Sequence, residues 1–82
     1  MITIYTKTTC PYCVKAKNYL QLKRIPFNEI NIEQDEISRQ FLKSQGHTTV
    51  PQLYKNNKNF VVGGCDGLLN LSETELFKKV NA

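Results

Sequence analysis

Strand-like and helix-like segments alternate along nearly all of this 82-residue chain. Residues 2–6 are mostly β-branched and alternate in polarity, as half-buried strands do. Residues 11–24 begin with a proline suited to the first position of a helix and place Ala16 and Leu20 on one helical face. Similar signals predict strands at residues 27–32, 50–55 and 60–62, a helix at residues 34–45, a short helical turn at residues 66–71, and a last helix behind a Ser72/Glu75 capping box.

The resulting order, β-α-β-α-β-β-α, predicts an α/β fold. Strands joined through a helix pair in parallel with a right-handed crossover. The asparagine-rich turn at residues 56–59 instead joins two antiparallel strands. We therefore expect one mixed four-stranded sheet flanked by helices on both faces, with residues 1–82 forming a single domain.

Composition argues against several classes of protein. Hydrophobic residues make up 40% of the chain and charged residues 22%, which is typical of globular proteins. No apolar run approaches the ~20 residues of a membrane helix, and the first residues lack a secretory-signal pattern. The net charge of +4 is spread along helix-like segments without interleaved aromatic residues. We expect a cytoplasmic protein that binds neither membranes nor nucleic acid.

The three cysteines indicate chemistry rather than disulfide stabilisation. Disulfide-stapled secreted domains usually have an even number. A bridge between Cys10 and Cys13 would also close a loop too short to stabilise the fold through chain entropy. This usage is typical of a reducing compartment, where thiols serve in redox catalysis or metal binding.

Cys10 and Cys13 fall where the first strand ends and the first helix begins. Free N–H groups at a helix N-terminus stabilise a thiolate, and cysteines in such motifs ionise with pKa values of about 3.5–7.5. Cys10 at the N-cap receives this effect in full, whereas Cys13 lies one turn into the helix and should be more buried. We predict that Cys10 is the nucleophile and Cys13 the resolving thiol, with Lys7 adding positive potential nearby.

Two other interpretations of these cysteines are open. The pair could be structural and buried, although a strand-to-helix turn is rarely buried. The other alternative is a Cys₃His zinc set made of the three cysteines and the single histidine, namely Cys10, Cys13, Cys65 and His47. The spacing of these residues matches no usual zinc pattern, and a proline followed at once by a long helix is unlike a zinc knuckle.

Two further motifs follow the cysteine pair. Thr-Val-Pro at residues 49–51 puts a proline at the start of a strand, where its missing N–H is tolerated. From the sequence alone, a trans bond before this proline is favoured. Gly-Gly-Cys-Asp at residues 63–66 predicts a turn into a helix N-terminus, a feature that binds carboxylates through its free N–H groups.

With Tyr-Thr-Lys at residues 5–7 and Cys-Pro-Tyr-Cys at residues 10–13, these motifs resemble those of glutaredoxins, glutathione-dependent members of the thioredoxin-like superfamily. The resemblance covers nearly the whole chain, and Pro-Tyr between the cysteines is similar to the dithiol class. It implies a thioredoxin-like fold and a monomeric thiol–disulfide oxidoreductase with glutathione as co-substrate and no metal. It also implies glutathionylated proteins and protein disulfides as substrates, with ribonucleotide reductase as one partner.

The resemblance assigns binding residues as well. It implies a cis Pro51, which lets the Val50 backbone pair with the cysteinyl part of glutathione beside Tyr12. The γ-glutamyl end would lie at the Gly-Gly-Cys-Asp turn, with its ammonium on Asp66, and the glycyl carboxylate would pair with Lys7. The expected binding residues are Lys7, Tyr12, Thr49, Val50, Pro51, Gly64, Cys65 and Asp66.

The chain departs from the family pattern at two positions. Gly67 stands where a second acidic residue often follows Asp66, and we expect this glycine to remove one contact and loosen the turn. Ser38 stands where the family often has an arginine or glutamine, which leaves open whether its neighbour Arg39 reaches the glycyl carboxylate. His47 is a further candidate for that contact.

Two alternative functions stay open. A glutaredoxin-like thioredoxin would take electrons from a flavoenzyme instead of from glutathione. An iron–sulfur carrier would hold a cluster between two protomers, although Pro11 stiffens the cysteine loop and argues against this.

Overall fold

The computed structural model describes all 82 residues. Four strands form one sheet in the order β2-β1-β3-β4. β1 pairs with β2 in parallel and with β3 in antiparallel orientation, and β3 and β4 are antiparallel. The predicted mixed four-stranded sheet is therefore confirmed. The elements in chain order are β1 Ile2–Thr6, α1 Pro11–Leu22, β2 Phe27–Asn31, α2 Glu36–Ser44, β3 Gln52–Lys55, β4 Lys58–Asn59, α3 Gly64–Leu69 and α4 Glu73–Asn81.

Side-chain alternation along the strands explains why helices cover both faces of the sheet. Ile4 of β1 pairs with Leu53 of β3, and both are fully buried in a core that includes residues of α1, α3 and α4. On the opposite face, Tyr54 packs with Ile32 and with Leu42 of α2 in a smaller cluster. Because β1 lies in the interior of the sheet, its carboxyl end delivers the chain to the cysteine motif from a fixed position.

The first helix ends earlier than predicted. α1 stops at Leu22 because Arg24 adopts a left-handed φ of 58°. The Ile25 N–H then donates to the Leu20 carbonyl at 2.9 Å, and the Arg24 N–H donates to the Gln21 carbonyl at 3.0 Å. This pair of bonds is a Schellman motif, in which arginine takes the position that glycine usually occupies.

The second helix is also shorter than predicted. Asp35 is the N-cap rather than a helical residue, and its carboxylate accepts a hydrogen bond from the Ser38 N–H at 3.2 Å. At the other end Gly46 has a φ of 82°, and the His47 N–H donates to the Leu42 carbonyl at 3.0 Å. The predicted stop at Gly46 is confirmed, and it directs the chain from α2 towards residues 48–51.

The prediction of a strand at residues 60–62 is wrong. The hairpin turn uses only Asn56 and Asn57, which have φ values of 53° and 64°, as in a two-residue type I′ turn. The returning strand therefore begins at Lys58. Phe60 and Val61 lie beyond the end of β4 and are buried in the core, although the Phe60 N–H still donates to the Leu53 carbonyl at 2.8 Å.

Two helices complete the chain. The predicted helical turn is α3, which begins at Gly64. The predicted capping box of α4 is confirmed: the Glu75 N–H donates to the Ser72 hydroxyl at 3.1 Å, and the Ser72 N–H donates to the Glu75 carboxylate at 3.1 Å. None of the helices has the length and apolar character needed to cross a membrane.

Candidate active site

Cys10 lies at the junction of β1 and α1, at the N-cap of the helix as predicted. Its backbone is extended, with φ −139° and ψ 98°, and Pro11 follows at the start of the helix. The Cys13 N–H donates to the Cys10 sulfur at 3.2 Å. The Cys10 side chain is partly exposed. Its sulfur therefore accepts a hydrogen bond from the helix and can still be reached by a substrate.

Cys13 lies in a contrasting environment. It is 1% exposed. Burial raises the pKa of the Cys13 thiol to about 12, helped by the hydrogen bond with Cys10 and opposed by a hydrogen bond from the Lys7 backbone. In the reduced protein Cys13 is therefore a neutral thiol beneath the surface, and only Cys10 presents its sulfur to the outside.

The peptide bond between Val50 and Pro51 is cis. This agrees with the resemblance and not with the trans bond that the sequence alone favours. The Cys10 thiol donates to the Val50 carbonyl oxygen, with 3.8 Å between sulfur and oxygen. Residues 50–51 lie outside β3, whose first residue is Gln52, so the predicted strand from residue 50 begins later and the cis-proline segment faces Cys10.

A cavity of about 160 Å³, which we call the Asp66 cavity, lies beside this segment. Its walls come from the first turn of α1, the cis-proline segment and the start of α3. The structure thus brings together every residue expected to hold the cysteinyl and γ-glutamyl parts of glutathione. The lining residues are Tyr12, Thr49, Val50, Pro51, Gly63, Gly64, Cys65 and Asp66.

Two glycines of α3 allow close backbone approach around this cavity. Gly64 has a φ of +59°, and a Cβ there would lie 2.6 Å from the Pro51 carbonyl oxygen. At Gly67 a Cβ would lie 1.9 Å from the Val62 carbonyl oxygen. The expectation that Gly67 loosens the turn is therefore wrong, because its missing side chain lets α3 pack directly on the preceding segment.

A second cavity of about 300 Å³, the Lys7 cavity, adjoins the first through Thr49 and Val50, which line both. Ile32, Leu42 and Thr48 contribute to its walls, and it has no acidic lining residue. Its basic side chains converge from three segments of the chain and are Lys7, Arg39, Lys43 and His47.

The sequence leaves open whether Arg39 can reach the glycyl carboxylate of glutathione. In the structure Arg39 of α2 lines the Lys7 cavity, and its guanidinium also pairs with Glu36. Lys43 lies one helical turn further on and also lines this cavity, although it is not among the site residues expected from the sequence. Its four-residue spacing from Arg39 could have indicated that both side chains share one face of α2. His47 is held at the cavity by Tyr54, with 2.6 Å between Nε2 and the hydroxyl oxygen.

The zinc alternative finds no support in the geometry. No three His, Cys, Asp or Glu side chains are placed so that they could hold a metal ion together. Cys65 is 3% exposed, and burial raises the pKa of its thiol. This third cysteine therefore contributes to the Asp66 cavity as a buried neutral side chain.

Comparison with known proteins agrees with this arrangement. The family model described as Glutaredoxin matches residues 2–61. The chain is 45% identical over 75 residues to Glutaredoxin 1 of Rickettsia prowazekii (strain Madrid E). This alignment covers 88% of this chain and 77% of that protein. It is 42% identical over 71 residues to Glutaredoxin 3 of Escherichia coli (strain K12), spanning 85% of this chain and 83% of that protein.

Solved structures extend the likeness to the fold. The buckwheat glutaredoxin–glutathione complex superimposes with a TM-score of 0.79 and 25% identity, covering 98% of this chain and 76% of that one. NrdH-redoxin of Escherichia coli, a glutaredoxin-like protein described as having a thioredoxin-like activity profile, gives a TM-score of 0.66 and 26% identity, covering 72% of this chain and 82% of that one.

The fold and the cysteine motif at the start of α1 define a thiol–disulfide oxidoreductase with a thioredoxin-like fold. Within that class, the family-model match and the curated relatives establish that the chain belongs to the glutaredoxin family.

Proposed function

We propose that the protein is a dithiol glutaredoxin, in which residues 1–82 act as one domain that uses glutathione to reduce glutathione mixed disulfides and protein disulfides. One observation carries the proposal: two adjoining cavities meet at Val50, next to the Cys10 sulfur, and one of them is lined by basic side chains. The similarity to a glutaredoxin whose structure contains glutathione supports it.

Glutathione has a thiol at its centre and a charged group at each end, which suits this pair of cavities. Its sulfur would lie beside Cys10, and its cysteinyl backbone would pair with Val50 as an added strand does. The glycyl carboxylate would enter the Lys7 cavity. The γ-glutamyl carboxylate would accept backbone N–H groups at Cys65 and Asp66, while the Asp66 carboxylate would hold the ammonium.

The reduction of a mixed disulfide would take two exchanges at one sulfur. The Cys10 thiolate attacks the glutathione sulfur, forms a new disulfide bond with it, and releases the substrate as a thiolate. The thiolate of a second glutathione then attacks the glutathione sulfur held by Cys10. This step yields oxidised glutathione and restores the Cys10 thiolate, with no net change in the protein.

A protein disulfide would use both cysteines. The Cys10 thiolate attacks one sulfur of the disulfide, forms a mixed disulfide with it and releases the other sulfur as a thiolate. Cys13 gives up its proton, attacks the Cys10 sulfur, forms the Cys10–Cys13 disulfide and releases the second substrate thiolate. Two glutathione molecules then reduce that disulfide in two exchanges and leave as oxidised glutathione. Because Cys13 is buried and neutral in the reduced protein, it cannot compete with Cys10 for the first attack. We propose a monomer in the reducing cytoplasm, with glutathionylated proteins and ribonucleotide reductase among its partners.

A second candidate is a thioredoxin-like activity that draws electrons from a flavoenzyme. The similarity to NrdH-redoxin favours it, although that likeness covers 72% of this chain, against 98% for the buckwheat protein. The two candidates differ in their electron donor. In the glutathione mechanism the electrons come from the thiol of a bound glutathione, and the Lys7 and Asp66 cavities are needed to bind its two charged ends.

The deciding assay is reduction of a small glutathione mixed disulfide, coupled to NADPH oxidation by glutathione reductase. We expect turnover that rises with glutathione concentration and saturates. Turnover with NADPH and thioredoxin reductase but none with glutathione would establish the second candidate instead. The visible absorption spectrum of the freshly purified protein should show no iron–sulfur band.

A further inference from the structure

The loop between β1 and α1 consists of Lys7, Thr8 and Thr9, and all three residues are exposed. It brings Lys7 to its cavity and leads into Cys10. Core packing does not fix a loop of this kind, so its position depends on hydrogen bonds.

Those hydrogen bonds come from the end of β2 and the residues after it. The Thr8 N–H donates to Glu33 Oε1 at 2.7 Å, and Asn31 Nδ2 donates to Thr8 Oγ1 at 3.0 Å. The Glu33 N–H in turn donates to Asn31 Oδ1 at 2.9 Å. The three bonds form a closed ring that holds Thr8 by both its backbone and its side chain.

Lys7, the residue before Thr8, is the part of this loop that contributes to the candidate glutathione site. The Lys7 side chain lines the basic cavity, and the Lys7 backbone lowers the pKa of the Cys13 thiol against the larger effect of burial. The Thr8 N–H bond lowers the pKa of the Glu33 carboxyl, and the charge of Lys7 lowers it further. At neutral pH the group that holds the loop is therefore a carboxylate, which accepts stronger hydrogen bonds than a neutral oxygen.

We propose that Glu33 is a positioning residue for glutathione: by accepting the Thr8 N–H it fixes the loop from which Lys7 reaches the glycyl carboxylate. This inference rests on the proposed function. Glu33 itself lines neither cavity. Its charge also attracts Lys7, so losing that charge alone would favour binding of an anion, whereas losing the hydrogen bond would hinder it.

Two substitutions separate these effects. Glu33→Gln keeps an oxygen that can accept the Thr8 N–H and removes only the charge. Glu33→Ala removes both. Glu73→Ala is the matched control, because it deletes another exposed glutamate, one that pairs with Lys23 outside both cavities.

In the glutathione-coupled assay we expect Glu33→Ala to raise the KM for glutathione about 3–10-fold, with kcat changed less than about twofold, as expected when one hydrogen bond that acts through binding is lost. Glu33→Gln and Glu73→Ala should keep the wild-type KM within about twofold. An equal rise of KM in Glu33→Ala and Glu33→Gln would overturn positioning through the Thr8 bond, because Glu33→Gln keeps an acceptor for that N–H, and a KM below the wild-type value in both variants would show that the charge of Glu33 dominates. A wild-type KM in Glu33→Ala would overturn the proposal altogether.

Amide hydrogen exchange at Thr8, measured by NMR without glutathione, gives an independent readout. Exchange should be slow in the wild type and in Glu33→Gln and at least about fivefold faster in Glu33→Ala. If the wild type lacks glutathione turnover, the proposed function fails, and exchange at Thr8 still decides whether Glu33 holds the loop. Unchanged exchange in Glu33→Ala would overturn the proposal even in an active enzyme.

Discussion

The Cys13 N–H donates to the Cys10 sulfur across 3.2 Å, so the second cysteine of the motif helps to hold the first. The Cys10 thiol in turn donates to the Val50 carbonyl oxygen, with 3.8 Å between sulfur and oxygen. Cys10 therefore lies between the start of α1 and the cis-proline segment, where a disulfide can approach. Cys13 is covered and ionises only with difficulty. This asymmetry leads directly to a prediction for each thiol.

Substituting the cysteines one at a time should separate two activities. Cys13→Ser should keep most turnover of small glutathione mixed disulfides, because free glutathione closes that cycle without a resolving thiol. It should lose most reduction of protein disulfides and accumulate a covalent complex through Cys10, visible on a non-reducing gel. Cys10→Ser should abolish both activities.

Cys65→Ser is the matched control for the cysteine series, since it alters a thiol outside the motif and should spare both activities. Loss of mixed-disulfide turnover in a folded Cys13→Ser protein would show that attacker and resolver have been assigned the wrong way round. A Cys65→Ser protein as inactive as Cys10→Ser, together with stoichiometric metal in the wild type, would establish the zinc alternative.

Asp66→Ala should weaken glutathione binding without slowing the chemistry. The contact with the remote ammonium is made equally in the ground state and the transition state, so its loss raises KM and leaves kcat unchanged. We expect KM for glutathione to rise about 3–30-fold, which corresponds to the ~0.7–2 kcal/mol of a partly exposed charged hydrogen bond. Steady-state kinetics over a range of glutathione concentrations measure both constants.

Asp66→Asn completes that test because it keeps the shape and one side-chain oxygen in the first turn of α3 but not the charge. It should raise KM nearly as much as Asp66→Ala. A wild-type KM in both variants would show that Asp66 serves only the first turn of α3.

Local signals in the sequence were enough to place the cysteine motif. Pro11 and the strand before it locate Cys10 at an N-cap, and the Ser72/Glu75 pair locates the start of α4, because both signals act within a few residues of the chain. The error at residues 60–62 is also local. Two consecutive asparagines in left-handed conformations turn the chain sooner than a four-residue loop would.

Contacts between distant segments could not be predicted in this way. Nothing near Thr8 indicates that Glu33 will bind its N–H, since that contact depends on the parallel pairing of β1 with β2. The cis bond before Pro51 was implied by the family resemblance and not by the residue itself. Similarly, the packing of Gly67 against Val62 depends on how α3 folds back after the hairpin.

Gly67→Ala should destabilise the protein, although replacing glycine by alanine inside a helix usually stabilises it by about 0.5–1 kcal/mol. The new Cβ would lie 1.9 Å from the Val62 carbonyl oxygen. We expect the free energy of unfolding to fall by about 1–3 kcal/mol, the usual cost of overpacking. Urea denaturation measures this change directly.

Gly46 offers the comparison for Gly67. Its φ is +82°, but a Cβ there would have nothing within 4 Å. Gly46→Asn should therefore be tolerated, because asparagine accepts left-handed conformations, whereas Gly67→Asn should destabilise at least as much as Gly67→Ala. A stabilised Gly67→Ala protein would show that the segment before α3 yields easily.

The last prediction concerns the effect of acid on stability through Glu29. The Thr6 hydroxyl donates to the Glu29 carboxylate at 2.8 Å, and Lys17 Nζ lies 3.0 Å from it. These contacts lower the pKa of the Glu29 carboxyl, the Thr6 hydrogen bond most, followed by the hydrogen bond from Lys17 and then its charge. A carboxyl whose pKa is lower in the folded than in the unfolded protein stabilises the fold when ionised.

The stabilisation should be complete above the ordinary glutamate pKa of about 4.3 and should disappear as the pH falls through the lower value of the folded protein. Glu29→Gln should thus cost about 0.5–1.5 kcal/mol at pH 7, at the low end because the side chain is partly exposed, and progressively less below pH ~4. Urea unfolding of both proteins from pH 7 to pH 2 measures the difference. Thr6→Val, which removes only the largest of these contributions, should lose part of the pH dependence that Glu29→Gln loses in full. A difference between wild type and Glu29→Gln that stays constant with pH would show that Glu29 acts through packing and not through its charge.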